Sequence, residues 1–384
     1  MPGARAVDVA IVGAGPVGAT LGILAVSSGL EIAIFEARPG PGADARTLAL
    51  SHASRELLEG AGAWPAERAT AIASIHVSQR GGPGRTLIEA GEQGLPALGY
   101  TVAFSALEEA LHSRLGRHGL GVSFAQACTG IRPDPEAATL DFATGAQVRA
   151  RLLVLADGGA TATLIPGIAF SEKDYGQRAI VARVRTDRAH ANRAYERFTS
   201  TGPMALLPVE DRYALVWTVP PAEAERILAI ADEPFLVELQ EAFGDRAGRF
   251  VEAGTRRSFP LRLRAVNSPV ALRTAIIGNA AQALHPIAGQ GLNLGLRDAA
   301  SLAEVIGAFP ANELGGRKML CAYRHSRRRD AARGVAFTDL LVSLFGDSRR
   351  ATRLGRGLAL AALDLFPPAR RLLAERMIHG APVP

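Results

Sequence analysis

The chain has 384 residues; about half are hydrophobic, 21% are charged, and the formal net charge is +6. That length supports two or more domains with sizeable cores, and no uncharged apolar run is long enough to form a transmembrane helix. Cys128 and Cys321 stand far apart outside any CxxC, and the eight histidines show neither HExxH nor paired spacing. Neither a disulfide framework nor a cysteine metal site is therefore expected, nor any other metal site.

The first element is an apolar strand, Val7–Val12, which runs into Gly13-Ala14-Gly15-Pro16-Val17-Gly18. A helix follows over Pro16–Ser28, and a second strand, Glu31–Phe35, ends in Glu36. Strand, GxGxxG turn, helix, strand and terminal acid form the dinucleotide-binding arrangement in its required setting. Gly13 makes the tight turn, Gly15 admits a pyrophosphate to the backbone, and Gly18 lets helix pack on strand. An acid at Glu36, rather than an Arg, suits an unphosphorylated adenosine ribose, hence FAD or NAD. Only this one GxGxxG element is present, so a second nicotinamide-binding domain is not expected.

Gly81–Gly99 is rich in Gly and Pro and reads as a loop or excursion. Val102–Arg117 has helical spacing; Gly121–Thr129 and Ala138–Phe142 read as strands, and Leu152–Ala156 returns to the nucleotide sheet. From Gln177 to about Arg264 alternating patterns dominate, at Ile180–Val184, Ala205–Val209 and Tyr213–Val219, which predicts a mainly antiparallel sheet. Ala222–Ala231 and Phe235–Phe243 are its helical inserts.

Residues 278–298 read GNAAQALHPIAGQGLNLGLRD after the strand Thr274–Ile277. Helical spacing over Leu292–Ile306 puts Gly289–Asn293 at a helix N-terminus, where free N–H groups and the dipole favour an anion or an electron-rich ring. Beyond it, residues 324–376 hold twelve Arg against five Asp or Glu. Basic stretches such as Arg327-Arg328-Arg329 alternate there with apolar ones such as Leu358–Leu363. Two readings stand: a basic amphipathic segment docking on an anionic membrane, or a solvated helical face packed on the body. Nucleic acid is not expected, because no nucleic-acid fold signature accompanies the arginines. The first strand is too short for a signal peptide. The expected location is the cytoplasm, with peripheral attachment at the inner-membrane surface as its extension.

Together these motifs resemble the FAD-dependent aromatic hydroxylases, and within them the ubiquinone-biosynthesis branch that acts on polyprenyl phenols. The resemblance covers nearly the whole chain. Gly13–Gly18 with Glu36-Ala37-Arg38 resembles the ADP-binding element. Asp44-Ala45-Arg46 resembles the branch's Asp-x-Arg segment, whose Arg reaches toward the flavin. Leu152–Gly158 resembles the Asp-Gly fingerprint, and Gly202–Pro208 with Leu215-Val216-Trp217 the substrate sheet. His285–Asp298 is similar to the third fingerprint. Three positions depart: Asn279 stands where the family has Asp, Gln282 where His is common, and no Arg follows Asp157-Gly158.

The resemblance implies an α/β fold: a Rossmann-like FAD-binding domain (1–80, 100–176 and 265–310) interleaved with a mainly antiparallel substrate domain (81–99 and 177–264), plus a helical C-terminal region (311–384). It implies non-covalent FAD held by Gly13, Gly15, Pro16, Gly18, Glu36, Ala37, Arg38, Arg46, Asp157, Gly158, Gly278, Asn279, Pro286, Gly289, Gln290, Gly291, Leu292 and Asn293. NADH or NADPH is the transient reductant, and O2 reacts through a C4a-hydroperoxide to hydroxylate a polyprenyl phenol. His285 is the candidate catalytic residue. Two other readings are a hydroxylase of small aromatics and a non-catalytic flavin-binding subunit of a biosynthetic complex. A halogenase is disfavoured because Trp64 and Trp217 are far apart.

Overall fold

The computed structural model describes residues 5–42, 44, 46–81, 85–283 and 290–328. The dinucleotide half is an eight-stranded sheet. Its main path runs Val270–Ala271, Thr274–Ile276, Gln147–Leu155, Arg5–Val12, Ile32–Phe35 and Val122–Ser123. Arg5–Val12 is central, parallel to Gln147–Leu155 on one side (Val9 opposite Leu152) and to Ile32–Phe35 on the other. The unbroken apolar run of these strands is what burial on both faces demands. Val9, Ile11, Leu152 and Val154 are fully buried toward helices Pro16–Ala25, Phe104–Arg117 and Gln290–Ala308. Ala10, Leu153 and Leu155 face the antiparallel pair Cys128–Pro133 and Ala138–Phe142, where Phe35 meets Phe142.

The second sheet has nine strands. In order they are Gln282–Ala283, Arg257–Val266, Phe170–Thr186, Arg212–Val219, Pro203–Val209, Arg193–Phe198, Ser74–Gln79 and Arg85–Glu89, with Phe250–Ala253 paired to Phe170–Thr186. All pairings are antiparallel except Arg193–Phe198 with Ser74–Gln79. Helices Pro221–Ala229 and Asp232–Phe243 cover one face, sealing Ile180, Leu206, Leu215 and Trp217. A three-stranded sheet, Thr47–Ser51, Gly99–Ala103 and Ala69–Ile72, bridges the two large ones.

Several sequence expectations shift. The strand expected over Gly121–Thr129 is two, Val122–Ser123 and Cys128–Pro133. Ala125 takes a left-handed φ of 56°, and the N–H groups of Ala125 and Gln126 donate to Arg38 O and Glu36 O, which breaks the strand. The helix expected from Val102 begins at Phe104, because Gly99–Ala103 is the middle strand of the small sheet. The expected loop Gly81–Gly99 contains the strand Arg85–Glu89. Ser74–Gln79 and the start of Phe170–Thr186 both pair in the nine-stranded sheet, so that sheet extends past the sequence-derived boundaries at 80 and 176. Of the C-terminal region, 317–328 is helical, and residues from 329 onward lie outside the described residues.

Candidate cofactor and substrate site

At the end of Arg5–Val12, the N–H of Gly13 donates to Phe35 O at 2.8 Å. Gly13 sits at φ +104°, and a Cβ there would lie 2.6 Å from the backbone of Ala156 and Asp157. A Cβ on Gly18 would come 2.0 Å from Gly13 O. Those two glycines are required by the protein's own packing. Gly15 differs: a Cβ there would meet no atom within 4 Å. Gly15 is also the N-cap of Pro16–Ala25, with no side chain capping the helix and Pro at its first turn. Its open side therefore fronts uncapped N–H donors, which suits a phosphate.

Glu36 is buried at the tip of the second strand. It accepts from Ala14 N–H at 3.0 Å and from Arg38 N–H at 3.0 Å. Burial pushes its carboxyl up, but hydrogen bonds from Arg38 and Ala14 and the Arg38 charge together outweigh this and leave it below the usual carboxylate range. Ala37 is exposed beside it. Arg38 bridges Glu36 (3.1 Å) and the fully buried Glu108 (2.7 Å), and Glu108 also accepts from Gly42 N–H. One helical turn further on, His112 Nε2 lies 2.8 Å from Ala14 O. Glu108 and His112 brace the turn from behind and were missed from sequence. Their signal was polar residues at i, i+4 spacing beside the buried Leu107, Leu111 and Leu115 of the same helix.

Arg46 is exposed, hydrogen-bonded to Asp44 at 2.8 Å and 5.4 Å from the Phe104 ring centre. Burial raises the Asp44 carboxyl, but the Arg46 hydrogen bonds and the charges of Arg46 and Arg257 bring it below its ordinary value. Asp157 accepts from Gly159 N–H, Thr161 N–H and the Thr161 hydroxyl, so its oxygens shape the turn through Gly158, whose φ is +76°. No Arg follows in sequence; instead Arg264, from the second sheet, ion-pairs with Glu172 and reaches to 3.5 Å from Gly159 O.

The third fingerprint locks onto the first. Gly278 (φ +62°) and Gly295 both press on Val17, their Cβ positions lying 3.1 and 2.7 Å from Val17 Cγ2. Asn279 is exposed, and its Oδ1 lies 3.7 Å from the Cβ position of Gly291 in the first turn of Gln290–Ala308. Asn293 is buried and turned elsewhere: it accepts from Ser51 N–H at 2.9 Å and donates to Ala49 O at 3.2 Å. Leu292 packs on the core. Asp298 was missed in the sequence; it accepts from Gly278 N–H (3.0 Å) and Arg327 Nε (2.7 Å), with Gln282 Nε2 at 3.4 Å. Arg327, read from sequence as part of a basic surface stretch, is buried in this ion pair. His285, Pro286 and Gly289 lie outside the described residues, and Gln290 opens the helix. Among the described residues no cluster of metal-ligating side chains occurs.

The face of the second sheet opposite Trp217 and Leu215 carries no helix among the described residues. Register aligns Val77, Glu196, Ala205, Val216, Val181 and Arg257 across six strands on this face. The four apolar members are half-buried. Arg257, at one end, is close enough to Asp44 to lower its carboxyl. Nearby, the Thr101 hydroxyl donates to Pro208 O, tying strand Pro203–Val209 to the small sheet that Asn293 grips. The face thus adjoins the Asp44–Arg46 segment.

The sequence matches the FAD binding domain family over residues 6–338. It is 36% identical to ubiquinone hydroxylase UbiL of Rhodospirillum rubrum, across 96% of this chain and 88% of that protein. It is 30% identical to 3-demethoxyubiquinol 3-hydroxylase of Escherichia coli, across 78% of this chain and 79% of that one. Among solved structures, p-nitrophenol 4-monooxygenase PnpA of Pseudomonas putida superposes with a TM-score of 0.79 at 18% identity, over 99% of this chain and 100% of the other. That likeness is one of fold.

Proposed function

The chain belongs to the FAD binding domain family, in the ubiquinone-biosynthesis branch of the FAD-dependent aromatic hydroxylases, and from that premise we propose how its site works and on what. It is an FAD-dependent monooxygenase that takes NAD(P)H as reductant and hydroxylates an aromatic ring in ubiquinone biosynthesis. The observation that carries the substrate class is the match along nearly the full length of a ubiquinone hydroxylase. The half-buried apolar face of the second sheet supports it, since a polyprenyl phenol needs a greasy bed.

The residues fit FAD. Gly13, Gly15, Pro16 and Gly18 would hold the pyrophosphate at the open turn, and Glu36 with Ala37 and Arg38 the adenosine ribose. Asn279 and the start of helix Gln290–Ala308 would face the ribityl chain and ring, while Arg46 and the Asp157-Gly158 turn flank them. When bound, FAD supplies hydride acceptance and oxygen activation. The protein's own part is to place the ring, exclude water and brace the turn through Glu108, His112 and Asp298. In this reading residues 1–80, 100–176 and 265–310 serve the cofactor and 81–99 and 177–264 the substrate, with Ser74–Gln79 and Phe170–Gly176 working with the substrate sheet. Residues 311–384 would add a peripheral contact to membrane or to a biosynthetic complex; among the described residues no helix is long and apolar enough to cross a membrane.

The test pairs two substrates on the purified holoenzyme. A short-chain prenyl phenol should stimulate NAD(P)H oxidation and yield a ring-hydroxylated product, and 4-hydroxybenzoate should not. Coupled hydroxylation of 4-hydroxybenzoate alone would move the chain to the small-aromatic hydroxylases. Failure of any aromatic to accelerate flavin reduction would make it a non-catalytic subunit.

A further inference from the structure

Resting on the phenol-hydroxylase reading above, we infer that Glu196 is a substrate-binding residue whose carboxyl hydrogen-bonds the ring hydroxyl of the phenol on the face of the nine-stranded sheet opposite helices Pro221–Ala229 and Asp232–Phe243. The argument begins with the alternation of strand Arg193–Phe198. Tyr195 and Arg197 point to the helical side: the Tyr195 hydroxyl donates to Arg246 O, its ring packs edge-on against Phe243, and Arg197 lies over the same Phe243 ring. Glu196 therefore points to the other face.

On that face its nearest neighbours are apolar, with the buried Gln79 diagonal to it, opposite Phe198. Register places Ala205 on one flank and Val77 on the other, and Ala194 and Phe198 are its same-face neighbours along the strand. A carboxyl in such a place normally finds an Arg, a Lys or a backbone N–H, because an unmatched buried polar group costs free energy. Glu196 has no hydrogen-bond or ion-pair partner among the described residues. Burial alone pushes its carboxyl up to about 8, with no charged group contributing. It is deeply set yet keeps part of its surface open. At neutral pH it is thus a protonated acid offering one donor and one acceptor, the only carboxyl in its six-residue row.

A phenol hydroxyl is the complementary group. It carries one O–H and an accepting oxygen, so it can satisfy a neutral carboxyl at both atoms. Its apolar ring and tail match the Val and Ala neighbours. An anionic substrate would not match: among the described residues no cation sits beside Glu196, and the acid would repel it once ionised. The residue would thus fix which edge of the ring carries the hydroxyl relative to the reacting carbon, and it would select phenols over their ethers.

The test is a cycle between protein and ligand. Bind a short-chain prenyl phenol and its O-methyl ether to the oxidised holoenzyme, reading the perturbation of flavin absorbance, for the unaltered protein, Glu196→Leu and Glu196→Gln. The unaltered protein should prefer the phenol, and Glu196→Leu should lose about tenfold in phenol affinity, the worth of one matched hydrogen bond. Affinity for the ether should stay within about twofold. Glu196→Gln, which keeps a donor and an acceptor, should restore phenol binding to within about threefold. Equal losses for phenol and ether in Glu196→Leu would show a packing role and overturn the assignment while leaving the substrate class standing. If Glu196→Leu does not hold FAD, Glu196→Gln and the phenol-to-ether ratio of the unaltered protein decide: a ratio near one overturns the assignment. Binding of neither compound to the unaltered holoenzyme would overturn the substrate class and the assignment together.

Discussion

Two glycines of one motif do different jobs, and the difference is measurable. Gly13→Ala places a Cβ against the Ala156 backbone in a left-handed conformation, so it should destabilise the fold by at least about 1–3 kcal/mol from backbone strain. Gly15→Val projects into open space and should fold normally while purifying without yellow colour; full FAD occupancy in that variant would show the turn is not the pyrophosphate site. Asn279→Asp should tighten FAD by about 0.5–1.5 kcal/mol, since a carboxylate makes a stronger bond to a ribityl hydroxyl and stands beside a helix N-terminus that favours negative charge. Weaker binding on flavin titration would mean the site is adapted to Asn. Glu196 gives a pH signature. Its folded pKa is raised, so between about pH 4.5 and 8 the folded chain holds a proton that the unfolded chain releases. Stability therefore falls as pH rises through that window. Glu196→Gln removes this loss, so melting curves should show its advantage growing from about pH 5 to 8 and then levelling. A pH-independent difference would place Glu196 in an ordinary polar setting.

At the scale of elements, the decisive joint is between the last described helix and the cofactor turn. Asp298 on Gln290–Ala308 holds Gly278 N–H with one oxygen and Arg327 with the other. Both side chains of the ion pair are nearly inaccessible, at 6% and 3% exposure. Removing either partner alone strands a buried charge, so Asp298→Ala and Arg327→Leu should each cost about 3–5 kcal/mol in denaturant titration. The double replacement should cost less than the sum of the singles. Because Asp298 also fixes the left-handed Gly278, the Asp298 variant should loosen FAD as well. Additive losses in the double variant would mean that the two side chains are not coupled.

Across the whole molecule, Arg327 has consequences for the reading of the C-terminal basic region. One member of the Arg327-Arg328-Arg329 run is buried against Asp298, so the cationic surface is smaller than the sequence count implies. If peripheral attachment operates, it should rest on the other arginines. Flotation with vesicles rich in anionic lipid should capture the full chain at low salt and release it at high salt, since exposed charge is screened. Equal capture by neutral vesicles would assign the attachment to apolar burial.

The FAD-binding half was legible because its signals are local. A strand entering GxGxxG and a glycine-rich turn opening a helix are covalently contiguous, although the packing that requires Gly13, Gly278 and Gly295 comes from distant segments, Ala156 and Val17. The alternation at Tyr213–Val219 likewise exposed the second sheet. Other features arise only when distant segments meet. Glu108 behind Arg38, Arg264 beside Gly159, and Arg327 against Asp298 are each contacts across at least 29 positions, and no spacing rule links them. The two strands replacing the one expected at Gly121–Thr129 reflect backbone bonds to Glu36 and Arg38 that local propensity does not encode. Neither Glu196 nor its strand, Arg193–Phe198, stood out in the sequence. The meaning of Glu196 came from the register that set Val77 and Ala205 beside it, with no countercharge among the described residues. Sequence by itself determined the nucleotide-binding strand–turn–helix–strand unit and the cofactor class, because both depend on local backbone chemistry. Tertiary structure alone decided which charges are matched and which carboxyl is left for a ligand, because desolvation and pairing are properties of neighbours in space.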